Sequence, residues 1–305
     1  MRRLPAFAAA LGGVALASPS AALAHGRTVA PAHLGSAWEA SPLVFVSAAL
    51  ALALFAQAFV RLRRRGRTDH AGWGRAVLFA AAVAIATLAL VSPIDATGEQ
   101  YLLSVHMLQH VLIADVAPAL ALLAIRGPLT FFLLPPPVLR RLAGVRPLRA
   151  ALGLVLRPQV TFVLWAAVML TWHAPFAYEA ALHSKAVHDL EHVMFIVVGT
   201  LAWIQLIDPA RQHRLRRPGR IGFALGLLVV GHPIVDGLFL SGSPAYSTYA
   251  DQLHRVFGLS ALTDQRIAAV VMFTEQMVML GTCVAVLLWP YLRGLRRTRG
   301  LRLAS

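Results

Sequence analysis

Seven long apolar runs separated by polar links dominate the chain. They are Pro42 to Val60, Arg75 to Ser92, Tyr101 to Ala124, Gln159 to His173, Ala186 to Ile207, Ile221 to Leu240 and Ile267 to Tyr291. Runs of about 18 or more apolar residues reach across a hydrocarbon core of roughly 30 Å, which a soluble core does not require. Backbone groups in lipid must be satisfied internally, so each run is expected to be a helix. The fourth is short by this count, with room to extend at either end. Composition agrees: 58% of residues are hydrophobic and 13% charged, about half the charged share of a soluble domain. The expected fold class is all-α, a polytopic membrane protein with a seven-transmembrane helix bundle preceded by a signal peptide.

That signal is read at the N-terminus. Arg2 and Arg3 precede the apolar stretch Leu4 to Ala17, and Ala22-Leu23-Ala24 has the small residues of a cleavage site. An uncleaved anchor is the alternative. The expected organisation is a signal peptide over 1–24, an extracytoplasmic arm over 25–41, the membrane domain over 42–292 and a basic tail over 293–305.

The links between runs carry the charge. The formal net charge is +15, and every basic residue except Lys185 is arginine. The first, third and fifth links and the tail hold dense arginine sets, such as Arg61, Arg63, Arg64, Arg65 and Arg67. The second link has Asp95 and Glu99 and no base, the fourth only Lys185, the sixth only Arg255 and Arg266. This alternation follows the positive-inside rule. It predicts a bacterial cytoplasmic (inner) membrane protein with its N-terminus outside and its C-terminus in the cytoplasm. The bases are scattered over separate short loops, so the charge is a topology signal and not a nucleic-acid surface. The link containing Pro135-Pro136-Pro137 is expected to lie along the cytoplasmic interface.

The chemistry concentrates in histidine. Of twelve, His70 and His213 fall in cytoplasmic links and the other ten lie outside or in the outer halves of helices. Intramembrane ionisable groups are costly and point to function. His106 and His110 stand at i, i+4 and share one helix face, as do His188 and His192, with Glu191 beside them. Paired imidazoles of this kind can reach one metal ion from one helix. Around them stand His173, His232 with Asp236 at i, i+4, and Met272 with Glu275, Gln276 and Met279. Thioethers favour cuprous copper, and carboxylates can ligate or orient imidazoles. Asp115 is expected to face away from the His106/His110 side. His183 and His254, in outer loops, read as solvated. If cleavage follows Ala24, His25 would present a free amine and an imidazole to copper. Cys283, the one cysteine, leaves no internal disulfide and no cysteine-rich metal site. HExxH, Gly-rich phosphate loops and GxSxG are absent; the fifth run reads His188-Asp189-Leu190-Glu191-His192.

These motifs resemble the cytochrome c oxidase assembly protein CtaG family, associated with caa-type oxidases. The likeness rests on Ser104-Val105-His106-Met107-Leu108-Gln109-His110 running to Ala117-Pro118, and on Trp172-His173-Ala174-Pro175 with Tyr178 and Ala181. It continues through His188 to His192, Gly199 and, less specifically, Leu262-Thr263-Asp264-Gln265 with Met272. It covers about two-thirds of the chain. The resemblance implies an assembly factor for a haem–copper oxidase that handles copper and is not an enzyme. By motif it makes His106, His110, His173, His188, Glu191, His192 and Asp264 the functional positions. Many relatives have an apolar Trp- and Pro-containing run where this chain reads Met272-Phe273-Thr274-Glu275-Gln276. The expected partners are cytochrome c oxidase subunits, extracytoplasmic copper chaperones and the lipid bilayer. Two readings of the residues stay open beside it: a haem-b electron carrier with axial ligands from two helices, and an intramembrane zinc hydrolase using His106, His110 and His188 with Glu191 as base.

Overall fold

The computed structural model describes residues 29–303, so the predicted signal peptide and His25 lie outside the described residues. Among those described, the chain is helical throughout, without strands. The principal helices are α1 (Pro42–Arg64), α2 (Trp73–Val91), α3 (Pro93–Gln100), α4 (Leu103–Ile125), α5 (Pro136–Gly144), α6 (Arg146–Val155), α7 (Pro158–Trp172), α8 (Pro175–His183), α9 (Lys185–Ile207), α10 (Arg217–Leu240) and α11 (Ala261–Leu303). Six of them are long and apolar enough to cross a bilayer. The seventh candidate is α6 joined to α7 through a bend of 74°. The short fourth run is thus resolved: α7 has 15 residues, and its continuation turns aside. The proline-rich link forms α5 and α6, with no buried residue in either.

Large apolar side chains on the outside suit lipid. Val77 is 67% exposed and Val229 71% exposed, patches that a water-soluble monomer would not carry. The interior instead holds small and aromatic residues, among them Ala58, Ala124, Ala224, Phe55, Phe79 and Trp203. At the arginine-rich end, Arg75 donates to the carbonyls of Ala124 and Arg126, closing the C-terminus of α4, and Arg220 pairs with Asp208 at 2.7 Å.

One local device sets the distance between α4 and α9. Pro118 has no N–H to give the carbonyl of Ala114, and its ring crowds that carbonyl. The chain answers with a π-helical turn over Leu112–Val116, in which the Ala117 N–H reaches back to the Leu112 carbonyl. The Ala114 carbonyl leans onto Gly199 of α9, where an added Cβ would lie 2.0 Å from the Ala114 oxygen. A glycine Cα–H occupies that direction, a weak donor typical of close helix crossings in membranes. Gly199→Ala is therefore expected to force the helices apart and cost about 1–3 kcal/mol or more. A thermal melt in detergent checks this, since an unchanged melting temperature would remove the close approach as a constraint.

Candidate metal centre

His106 and His110 face α9, and His188 and His192 face α4. Their rings are buried, with exposures between 0 and 6%. One ligand nitrogen from each of the four lies within 4.8 Å of all the others. The rings pack closely: centroids are 4.4 Å apart for His106–His110 and 5.3 Å for His110–His192, both edge to face, and 4.1 Å for the tilted pair His188–His192. Nε2 of His106 stands 3.2 Å from Nε2 of His188. Two nitrogens about 2.0–2.1 Å from a tetrahedral ion would be about 3.3 Å apart, so this pair is already spaced for one. Both nitrogens of His110 and Nε2 of His192 have no hydrogen-bond partner. Buried polar atoms of that kind are costly and rare, and one nitrogen of each ring belongs to the cluster.

Glu191 lies fully buried at the same level. Neither carboxylate oxygen accepts a hydrogen bond, and Oε1 is 3.9 Å from Nε2 of His110. The donor set is four imidazoles from two helices with one unshared carboxylate at its side. It fits an ion taking nitrogen ligands, copper or zinc among them.

Three of the chain's five tyrosines form the wall behind His106. Tyr249 donates its hydroxyl to the Gly98 carbonyl at 2.7 Å. Its oxygen also lies 3.0 Å from Nδ1 of His106, so that contact is a hydrogen bond only if Nδ1 carries the proton. Tyr178 stands 2.7 Å from the same Nδ1 and 3.3 Å from Tyr249. With Nδ1 protonated, Nε2 keeps a free lone pair aimed at His188. This is the way ligating histidines are oriented by the groups behind them. Burial pushes the hydroxyls of Tyr178 and Tyr249 well above their ordinary range, so both remain donors. Tyr246 stacks on Tyr178 at 4.0 Å and donates to the His173 carbonyl. Gly98 must be glycine for α3 to approach this closely, because a Cβ there would meet the backbone of His106 at 2.9 Å. Glu179 holds the link that carries Tyr246 and Tyr249 by accepting from Ser247 and Thr248. Tyr178 stood within the sequence motif. Tyr246 and Tyr249 were missed; their spacing of three within one apolar-poor link was the available signal.

The other predicted site residues divide. His173, Met272 and Glu275 line a small cavity against the tetrad, together with His110 and Asp115. Asp115 does not face away from the His110 side as expected. In an α-helix, i+5 points well off the i position, but the π turn brings residues five apart nearly into line. Asp264 is buried elsewhere, accepting from the backbone N–H groups of Leu103 (2.6 Å) and Ser104 (3.3 Å) and from the Ser104 hydroxyl (2.5 Å). There it caps α4 and ties α11 to it. His232 and Asp236 pair with each other at 3.9 Å on an exposed face of α10, with side chains 43% and 56% exposed.

A helical membrane bundle with a buried histidine tetrad at its arginine-poor end is the class that fold and site define. The profile of the cytochrome c oxidase caa3 assembly factor family, Caa3_CtaG, matches residues 53–294, and the chain belongs to that family. No curated protein and no solved structure matches it.

Gln109, between the two histidines of α4, fastens that helix to its neighbours. Its Nε2 donates to the Ala89 carbonyl at 2.9 Å and to Asp95 Oδ1 at 2.6 Å. Burial raises the Asp95 carboxyl to about 7, the Gln109 N–H pulls it back, and Glu99 and Glu39 push it further up. A raised carboxyl stabilises the fold fully below its ordinary value, about 3.9, and the contribution is lost as pH rises through about 7. Between pH 5 and 8 the melting temperature of the wild type should fall relative to Asp95→Asn, which has no proton to lose. Parallel curves would contradict the assignment.

Proposed function

We propose that the chain binds cuprous copper at the His106, His110, His188 and His192 tetrad and helps to deliver it to a cytochrome c oxidase. Membership of the oxidase assembly family supplies the client. The observation that carries the metal is the convergence of four buried imidazole nitrogens within 4.8 Å of one another. Charge balance favours the monovalent ion. Neutral imidazoles contribute nothing, and Glu191, once ionised beside a bound cation, contributes one negative charge, so a cuprous ion gives a neutral site while a divalent ion leaves a net positive charge in a low-dielectric bundle.

The chain acts here as a carrier and not as a catalyst: the residues bind and release an ion. The positive-inside rule places the tetrad, at the arginine-poor end, near the extracytoplasmic face, where copper arrives. The cavity against the tetrad measures about 60 Å³, far below the roughly 300–1,000 Å³ of pockets for organic ligands and cofactors. That speaks for a bare ion over haem.

The test is metal content and visible spectrum of the purified full chain from copper-supplemented cells. At least one copper per chain is expected, with the share held by the tetrad lost in His106→Ala and in His192→Ala, and no Soret band. Zinc in place of copper, or haem, would overturn the reading. Tyr178→Phe should retain the fold and weaken copper affinity about 10- to 100-fold, the usual cost of removing a group that orients a ligand. Unaltered affinity in competition with a cuprous chelator would show that the tyrosine wall does not orient His106.

A further inference from the structure

Beyond the tetrad, toward the arginine-rich end, lies the cavity of about 60 Å³ between α4, α7, α9, α10 and α11. On α9 its lining runs from Phe195 to Leu206, about 16 Å of helix at 1.5 Å per residue. Its contents differ in kind from the tetrad. Three of the chain's seven methionines, Met107, Met169 and Met272, border it. Nδ1 of His173 lies 2.8 Å from the Met169 carbonyl. A carbonyl only accepts, so Nδ1 carries the proton and Nε2 holds a free lone pair. Two carboxylates also face this space, Glu275 and Asp115, and Asp115 already accepts a hydrogen bond from Trp203 at 2.9 Å. His110, buried and with both nitrogens unpartnered, belongs to the lining as well as to the tetrad.

We propose that this cavity is a second cation site, a deeper station that accepts a cuprous ion from the tetrad through His110. Thioethers are soft, neutral ligands that select cuprous copper. With Met169, Met272 and His173 as ligands, a single ionised carboxylate makes the site neutral, as Glu191 does above. Two ionised carboxylates without a cation would be prohibitively expensive in this environment. Structural methionines fill gaps, but these three border open space that also receives an unpartnered imidazole and two acids. The transfer is ligand exchange. Bonds from copper to His106, His188 and His192 break, bonds to thioether sulfur form, His110 stays engaged, and no electron moves. The inference rests on the copper reading of the tetrad and gives it a direction: into the bundle, away from the face where the ion is received.

The experiment titrates cuprous ion into the full-length protein anaerobically, in detergent, and reads the X-ray absorption fine structure for sulfur in the copper shell. Met169→Leu/Met272→Leu conserves volume and removes two thioethers; His188→Ala breaks the tetrad without touching the cavity. The expected result is a copper–sulfur signal in the wild type that persists in His188→Ala and disappears in the methionine double variant. A wild-type site with nitrogen and oxygen alone, lost in His188→Ala, would overturn the deeper station and leave the tetrad standing. A sulfur signal that vanishes in His188→Ala would mean one shared site and overturn the inference too, as would a signal indifferent to both methionines. Absence of any bound copper would sink the tetrad reading and this one with it.

Discussion

The close crossing of α4 and α9 is the constraint on which the remainder depends. Ala114 meets Gly199 without a side chain between them. His106, His110 and Ala114 form one stripe at successive intervals of four; His192 and Gly199 lie seven apart on the opposing face, with His188 one turn further out. Fixing the backbones in contact at Ala114 and Gly199 fixes the gap between the stripes about 10 Å away, where the imidazoles stand. A bulkier crossing would leave room for each ring pair to bind separately, and the four nitrogens would no longer share one centre. The bundle thus sets the spacing of the tetrad through a glycine that touches none of its imidazoles.

Burial governs the chemistry as much as distance does. Each polar group in the interior has to find a partner or accept a cost of a few kcal/mol, and most do. Gln109 gives its amide to α2 and α3, Asp264 caps α4, and Tyr178 and Tyr249 satisfy the back of His106. Of the nine buried side-chain atoms left without a partner among the described residues, five belong to His110, His192 and Glu191. The tyrosine wall backs the tetrad at His106, and of the unpaired groups His110 also borders the cavity.

The membrane class, the span positions and the two histidine pairs were legible because each depends on spacing along one helix. Apolar run length gives the spans, and the i, i+4 pairs give His106 with His110 and His188 with His192. Sorting the remaining candidates was not legible, because it depends on which helices touch. His173, Met272 and Glu275 carry the residue types of a ligand set, and only the packing of α7 and α11 puts them in a separate cavity. Asp264 sits in a motif that resembles the family's, yet its carboxylate is bound to the start of α4. Tyr246 and Tyr249 share a link at a spacing of three, but that spacing does not say which helix the link packs against, so it does not aim them at His106.

Asp115 was misjudged for a reason that bears on the whole site. A regular α-helix cannot place His106, His110 and Asp115 on one wall, since the step from 110 to 115 rotates the side chain well away. Pro118 disfavours a regular helix at this point, because the residue it would bond to is Ala114. The π turn that results does two things together. It leans the Ala114 carbonyl onto Gly199, drawing α9 in, and it swings Asp115 toward the cavity beneath His110. A single proline thereby supplies both the spacing of the tetrad and a polar group on the wall below it. The motif running from His106 through Ala117-Pro118 can be read as one mechanical unit, in which the proline serves the histidines two turns away.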